Sequence, residues 1–211
     1  MVKYVKNIVL ASGSPRRIDM LKEAGIDPEI VIPEVDEHIS TDLSPAQMVM
    51  SLALRKALSV ERQLEERGAQ VQNALLIAAD TVVYDGRIIG KPHTEQEAYD
   101  TLMSLRGRVH QVYSGVCLFL PANRIRHVFS CRTDVEFTEY SAEDIHRYVQ
   151  TGEPMDKAGS YAIQGGFAPY IKRICGSRDN VIGFPLQEIV EELSVRGICL
   201  NADGTGASET E

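Results

Sequence analysis

The chain has 211 residues, 44% hydrophobic and 25% charged, a globular composition that excludes the disordered, collagen-like and coiled-coil classes. With 22 Lys and Arg against 30 Asp and Glu the formal charge is −8, which argues against a general nucleic-acid coat, because phosphate-backbone binding needs a dense basic footprint. Three of those acids and no base fall in residues 201–211, so the acidity is partly a property of the tail.

Asn7 to Ala11 is a short apolar run with β-branched residues, closed by Gly13 and Pro15, and it predicts a buried strand ending in a tight loop. Ser14 and Pro15 supply an N-cap and a first-turn proline, Ile18 and Leu21 share a face, and Gly25 stands where a helix stops. Strand, loop and helix therefore occupy residues 7–24. An extended piece at 29–32 leads into the acids Glu34, Asp36 and Glu37. Ser44-Pro45-Ala46-Gln47 has the capping-box pattern, and the helix it opens carries Leu52, Ala53, Lys56, Ala57 and Val60 before fading in the charged stretch 61–72.

Leu75 to Ala79 predicts a central strand that runs into Asp80 and Thr81, and residues 82–89, centred on Asp85-Gly86, predict a hairpin. Thr94-x-x-Glu97 opens a helix that stops before Gly107. Strands at 110–120 and 125–137 flank a turn at 121–123, and Ser141-x-x-Asp144 starts a short helix. Residues 153–183 are rich in Gly, a last helix spans 185–196, and the polar tail 201–211 is expected to be disordered. The pattern reads as one α/β domain over residues 1–200 with a mixed sheet.

Three groups of residues can carry chemistry. Ser12-Gly13-Ser14-Pro15-Arg16-Arg17 joins a strand end to a helix start, where free N–H groups, the helix dipole, hydroxyls and guanidiniums suit a phosphate; the bland alternative is a capped turn with solvated arginines. Asp80 ends an apolar run, the place where α/β folds hold ligands, and with an acid from the 34–37 cluster it could hold Mg²⁺ completed by phosphate oxygens. Lys91, Lys157 and Gln164 sit in Gly-rich settings that admit close approach, and Lys56 lies on a helical stripe with Leu52 and Ala53, where it either faces a cleft or snorkels.

The other polar groups suggest no chemistry. The five histidines lie in separate segments without ligand spacing and read as ordinary surface or strand residues. Neither G-x-G-x-x-G, a P-loop nor G-x-S-x-G occurs. The four cysteines lack C-x-x-C spacing and read as free thiols, mostly small buried hydrophobes, in a reducing cytoplasm. No apolar run reaches the length of a signal or membrane-spanning segment, so the expectation is a soluble cytoplasmic protein without membrane or nucleic-acid partners.

Taken together the segments resemble the Maf family of septum-formation-inhibitor-like nucleoside triphosphate pyrophosphatases. The matching blocks are L-A-S-G-S-P-R-R (10–17), V-D-E (35–37), L-A-L-R-K-A (52–57), A-A-D-T-V-V (78–83), G-K-P (90–92), G-E-P-M-D-K-A-G-S-Y-A-I-Q-G (152–165) and G-S-R-D-N-V-I-G-F-P-L (176–186), in the family's order. Two departures stand in the last block. Arg178-Asp179 replaces an aromatic often seen before N-V-V-G-L-P, and Phe184 replaces Leu.

The resemblance implies an inosine-triphosphate-pyrophosphatase-like fold, a two-lobed α/β domain with an elongated mixed β-sheet and a central cleft. It implies hydrolysis of a nucleoside triphosphate between its α and β phosphates with Mg²⁺ or Mn²⁺, and frequent homodimerisation. The catalytic carboxylate falls on Asp80 and the second metal-binding acid on Glu37. The phosphate loop falls on Ser12, Ser14, Arg16 and Arg17, and the cleft lysines on Lys56, Lys91 and Lys157.

Arg16, Thr81 and Gln164 match the branch that acts on dTTP and UTP, Gln164 to read a pyrimidine edge and Thr81 to add a hydroxyl contact. The competing readings are the same reaction on 7-methyl-GTP or another nucleotide, and a non-catalytic nucleotide-binding regulator of cell division.

Overall fold

Continuous apolar runs within residues 7–11 and 74–84 and long antiparallel arms in the middle of the chain build one mixed sheet. The computed structural model of the chain describes residues 3–5, 7–36, 43–69, 74–121 and 125–200; Glu37, the tail 201–211 and all of the 121–123 turn except Pro121 lie outside them. Strands β1 (Lys3–Val5) and β9 (Ile198–Leu200) form a small parallel pair. The main sheet runs β3 (Glu29–Ile30), β2 (Asn7–Ala11), β4 (Ala74–Tyr84), β6 (Val109–Leu120), β7 (Ile125–Phe137) and β8 (Ile171–Cys175), with β5 (Ile88–Ile89) paired to β4. It is parallel from β3 to β4 and antiparallel from there on.

Period-two alternation sends successive side chains to opposite faces. Ile8 and Leu10 of β2, Leu75 and Ile77 of β4, and Val116 and Leu118 of β6 face α1 (Pro15–Glu23) and α6 (Leu186–Val195). Val9, Leu76, Ala78 and Phe119 take the other face, under α2 (Pro45–Glu66). A third cluster forms at the far ends of β4 and β6, where Val83, Val112 and Val135 pack with α3 (Glu95–Leu105), α4 (Ala142–Val149) and the 3₁₀ turns of residues 153–170. These are two lobes on one sheet.

Two of the capping patterns form in full, both bonds of the box being made at Ser44 and Gln47 and again at Ser141 and Asp144, whereas Ser14 holds its N-cap position without a side-chain cap bond. Four elements escape the sequence reading: β1 and β9, which form the terminal pair, strand β8, and α5 (Arg178–Ile182). A correction concerns β4. The hairpin read over 82–89 forms, with Val83 and Tyr84 pairing Ile89 and Ile88, but its first arm is no separate strand: it continues the run through Asp80 and Thr81 to Tyr84, because Thr81 to Tyr84 keep pairing with Gln111 to Ser114 of β6. Among the described residues no helix is long and apolar enough to cross a membrane.

Candidate functional site

The site begins as a gap in the sheet. On one edge of β4 the last partner from β2 is Ala11 opposite Ala78, and the first partner from β5 is Ile89 opposite Val83. Residues 79–82 between them have no neighbouring strand on that edge, and a cleft of about 760 Å³ opens over them. Asp80 sits in this gap with its residue 8% exposed, on the face covered by α2. Its register partner on β6 is Gly115, where a Cβ would collide with the backbone of Val49 and Met50. That glycine lets α2 lie directly on the sheet, and α2 brings Lys56, also 8% exposed, to 2.6 Å from Asp80 Oδ1. Asp80 Oδ2 has no hydrogen-bond partner among the described residues.

The loop after β2 forms a second wall. Ser12 is buried, and its Oγ accepts from Ser14 N at 3.2 Å and from Arg17 Nη1 at 3.2 Å. Ser14 holds the N-cap position of α1 without capping it through its side chain, so the hydroxyl is left to the cleft that it lines.

The two adjacent arginines diverge. Arg16 Nη1 donates to Asp156 Oδ2 at 2.7 Å, and Lys157 donates to the other carboxylate oxygen of Asp156 at 2.6 Å. Burial pushes the Asp156 carboxyl up, but hydrogen bonds and charge from Lys157 and Arg16 outweigh it and hold it below the usual carboxylate range. Arg17 turns into the protein. It donates to Gly183 O at 2.9 Å, Ala79 O at 2.7 Å, Ser12 Oγ and Thr81 Oγ1 at 3.2 Å. It ties Ser12 of the loop after β2, the strand on both sides of Asp80 and the segment after α5 to one guanidinium. The sequence reading pointed both arginines at phosphate; in the structure Arg17's donors go to protein oxygens.

Exposed Lys91 and Gln164 enter from the second lobe, and the backbone bond from Gly159 N to Gly90 O at 3.1 Å fastens the Lys91 loop to the segment carrying Lys157. All ten of the described candidates, Ser12, Ser14, Arg16, Arg17, Lys56, Asp80, Thr81, Lys91, Lys157 and Gln164, line this single cleft. Glu37 lies outside the described residues. The segment leading to it is held against α2, where Ser59 Oγ bonds both N and O of Glu34 at 3.0 and 3.1 Å.

Sequence reasoning missed Asp156 and the buried hydroxyl Ser114, which bonds Thr81 at 2.8 Å; the D-K pair and the Thr81 register were the available signals. His110 is fully buried against Tyr161, Nε2 to Oη 2.8 Å, and burial pushes its pKa down to about 4. The cysteines are all free, but only Cys117 is fully buried and Cys175 is exposed.

Asp80 with an open oxygen, facing a space ringed by cations, offers the hard oxygen donor that Mg²⁺ or Mn²⁺ takes together with phosphate oxygens. Among the described residues no three His, Cys, Asp or Glu side chains gather into a metal-binding group.

Comparison with known proteins agrees with the blocks read from the sequence. Residues 7–196 match the family model described as Maf-like protein. The chain is 43% identical over 190 residues, 90% of its length and 95% of the relative's, to a dTTP/UTP pyrophosphatase of Bacillus cytotoxicus (strain DSM 22905 / CIP 110041 / 391-98 / NVH 391-98). It is 42% identical over 190 residues, 90% and 89% of the two chains, to a dTTP/UTP pyrophosphatase of Bacillus cereus (strain ATCC 10987 / NRS 248). Among solved structures, the Ham1 protein of Coxiella burnetii matches at 14% identity with a TM-score of 0.47, covering 90% of this chain and 98% of that one. The Staphylococcus aureus Ham1 protein matches at 19% identity and a TM-score of 0.43, covering 90% and 99%. With seven sequence blocks in order, a family match over nearly the whole chain and relatives above 40% identity, the chain belongs to the Maf family.

Proposed function

We propose that this protein hydrolyses dTTP and UTP between the α and β phosphates, releasing the monophosphate and pyrophosphate. The observation that carries the reading is the convergence of Arg16, Lys56, Lys91 and Lys157 on a cleft whose floor is a buried carboxylate, Asp80. Relatives above 40% identity that bear the name dTTP/UTP pyrophosphatase support the same substrate class. Four unpaired cysteines favour a reducing, cytoplasmic setting.

Anhydride hydrolysis asks the protein for positive charge along the polyphosphate and for an oriented water at the α phosphorus. Lys56 clamps Oδ1 of Asp80, so Oδ2 is the atom left to serve the reaction, either to orient the water and accept its proton or to meet the cation. Lys91, Lys157 and Arg16 face the developing charge on the leaving pyrophosphate, while Arg17 holds the loop and strand that present the other groups. Asp80, with Glu37 as a second acid, would hold a divalent cation, which supplies Lewis acidity and charge neutralisation at the phosphates when bound.

The test is product analysis on a panel of nucleoside triphosphates with Mg²⁺. Wild type is expected to release pyrophosphate from dTTP and UTP, and Asp80→Asn to lose at least about 100-fold in kcat while still unfolding cooperatively, at a Tm lowered because Lys56 loses its buried partner. Release of single phosphate would refute α–β cleavage. Full activity of Asp80→Asn would remove the carboxylate from the mechanism.

A further inference from the structure

One face of the sheet carries two apolar clusters separated by a polar seam. Along β4 this face reads Ala79, Thr81, Val83, and along β6 it reads Val112, Ser114, Val116. Thr81 and Ser114 are register partners with their hydroxyl oxygens 2.8 Å apart. Ser114 is fully buried and lies beneath the cleft surface, not on it.

Helix α5 covers this seam, and each part of it is pinned to the sheet below. Thr133 Oγ1 donates to Ser177 O at 3.0 Å, Ser114 Oγ to Asn180 O at 3.3 Å, and Thr81 Oγ1 to Gly183 O at 3.2 Å. Asn180, also fully buried, returns two bonds through Nδ2 to Val112 O and Thr133 Oγ1. The same Gly183 carbonyl accepts from Arg17 Nε at 2.9 Å. Val181, Ile182 and Gly183, the end of this pinned helix, form a wall of the nucleotide cleft.

The hydrogen count decides what Thr81 can do. Two hydroxyl hydrogens, those of Thr81 and Ser114, serve three contacts: the one between the two hydroxyls, the one to Gly183 O and the one to Asn180 O. Whichever way the pair orients, the Thr81 hydrogen has a protein acceptor, and Arg17 Nη2 occupies one of its lone pairs. A donor contact from Thr81 to a base would therefore break a bond already made.

We propose that Ser114 is a positioning residue for nucleotide selection: it acts through Thr81 on the Val181–Gly183 wall, and Thr81 selects by this relay and not by donating to the base. The proposal rests on the nucleotide-hydrolysing reading of the cleft. It extends that reading to a residue the substrate never touches.

The experiment measures kcat and KM for dTTP, UTP and GTP in wild type, Thr81→Val, Ser114→Ala, the double variant and Thr81→Ser, with melting curves to establish folding. Both single variants are expected to lower the pyrimidine-over-purine ratio of kcat/KM in the same direction by about three- to tenfold, mostly through KM. The double variant should go no further than the larger single one, and Thr81→Ser should restore the ratio. A shift in Thr81→Val with none in Ser114→Ala would mean direct contact and overturn the relay. An equal fall on all three nucleotides in both variants would reduce the pair to scaffold and overturn it as well. If wild type releases no pyrophosphate from any of them, the hydrolytic reading fails. The relay is then judged by equilibrium binding of the same nucleotides, where the two variants must still move the ratio together.

Discussion

Neighbouring residues of one chemical type can have opposite duties, and Arg16 and Arg17 show why a motif alone does not separate them. Successive helix positions point about 100° apart, so at the start of α1 one guanidinium reaches across the cleft to Asp156 and the next turns beneath the loop to four protein oxygens. His110 is a second residue whose duty is set by its surroundings. Buried beside Phe137 and Tyr161, it stays neutral in the folded protein down to a pKa of about 4, against 6.5 in the unfolded chain. Between those pH values the unfolded state takes up a proton that the native state does not, so stability present above pH 6.5 is lost as the solution is acidified towards 4. The loss attributable to this one group is on the order of 3 kcal/mol. Urea unfolding at pH 7 and pH 4.5 should show a steeper acid loss in wild type than in His110→Phe. Parallel curves would assign the acid sensitivity to other groups.

At the level of elements, the site is a property of β4 more than of any loop. The strand keeps one partner, β6, along its length while changing the other from β2 to β5, and Asp80 sits in the interval. The sequence made β2, α1 and the capped helices legible because their signals are local: a short apolar run, a proline at the first turn, a Ser three residues before Gln or Asp. The described candidate residues, brought together in the reading only by the family resemblance, all line the cleft. The sequence could not show that the strand through Asp80 and the first arm of the 82–89 hairpin are one continuous β4, because pairing with β6 is a contact between distant segments. The same limit hid β1 with β9 and the seating of α5. Gly115 is the element-scale device that brings α2 close enough for Lys56 to reach Asp80. Gly115→Ala should lift α2 at a cost of about 1–3 kcal/mol, a fall in Tm of roughly 2–12 °C for a chain of this size. Because Lys56 lies about two helical turns beyond Val49, kcat should fall with it. A variant that melts and turns over like wild type would show that the helix yields without moving Lys56.

For the molecule as a whole, a net charge of −8 and a triphosphate substrate look opposed until the charge is located. The cations that matter are drawn from both lobes, Arg16 and Lys56 from helices on the first and Lys91 and Lys157 from loops on the second, so the field is assembled by the fold. Asp156 sits between Arg16 and Lys157 and links the lobes across the cleft. The Asp156 side chain is 60% exposed, so the link adds little to stability, since ion pairs open to water are worth about 0–1 kcal/mol. Its larger effect is on the substrate, because a carboxylate paired with both cations competes with an incoming phosphate for them and repels it. Asp156→Asn should therefore leave Tm within a few degrees of wild type and lower KM for dTTP several-fold in dilute buffer. The difference should shrink as ionic strength brings the Debye length to about 8 Å and below. A higher KM at every salt concentration would mean that Asp156 serves the substrate by aiming Arg16 and Lys157, and that its repulsion is the smaller effect.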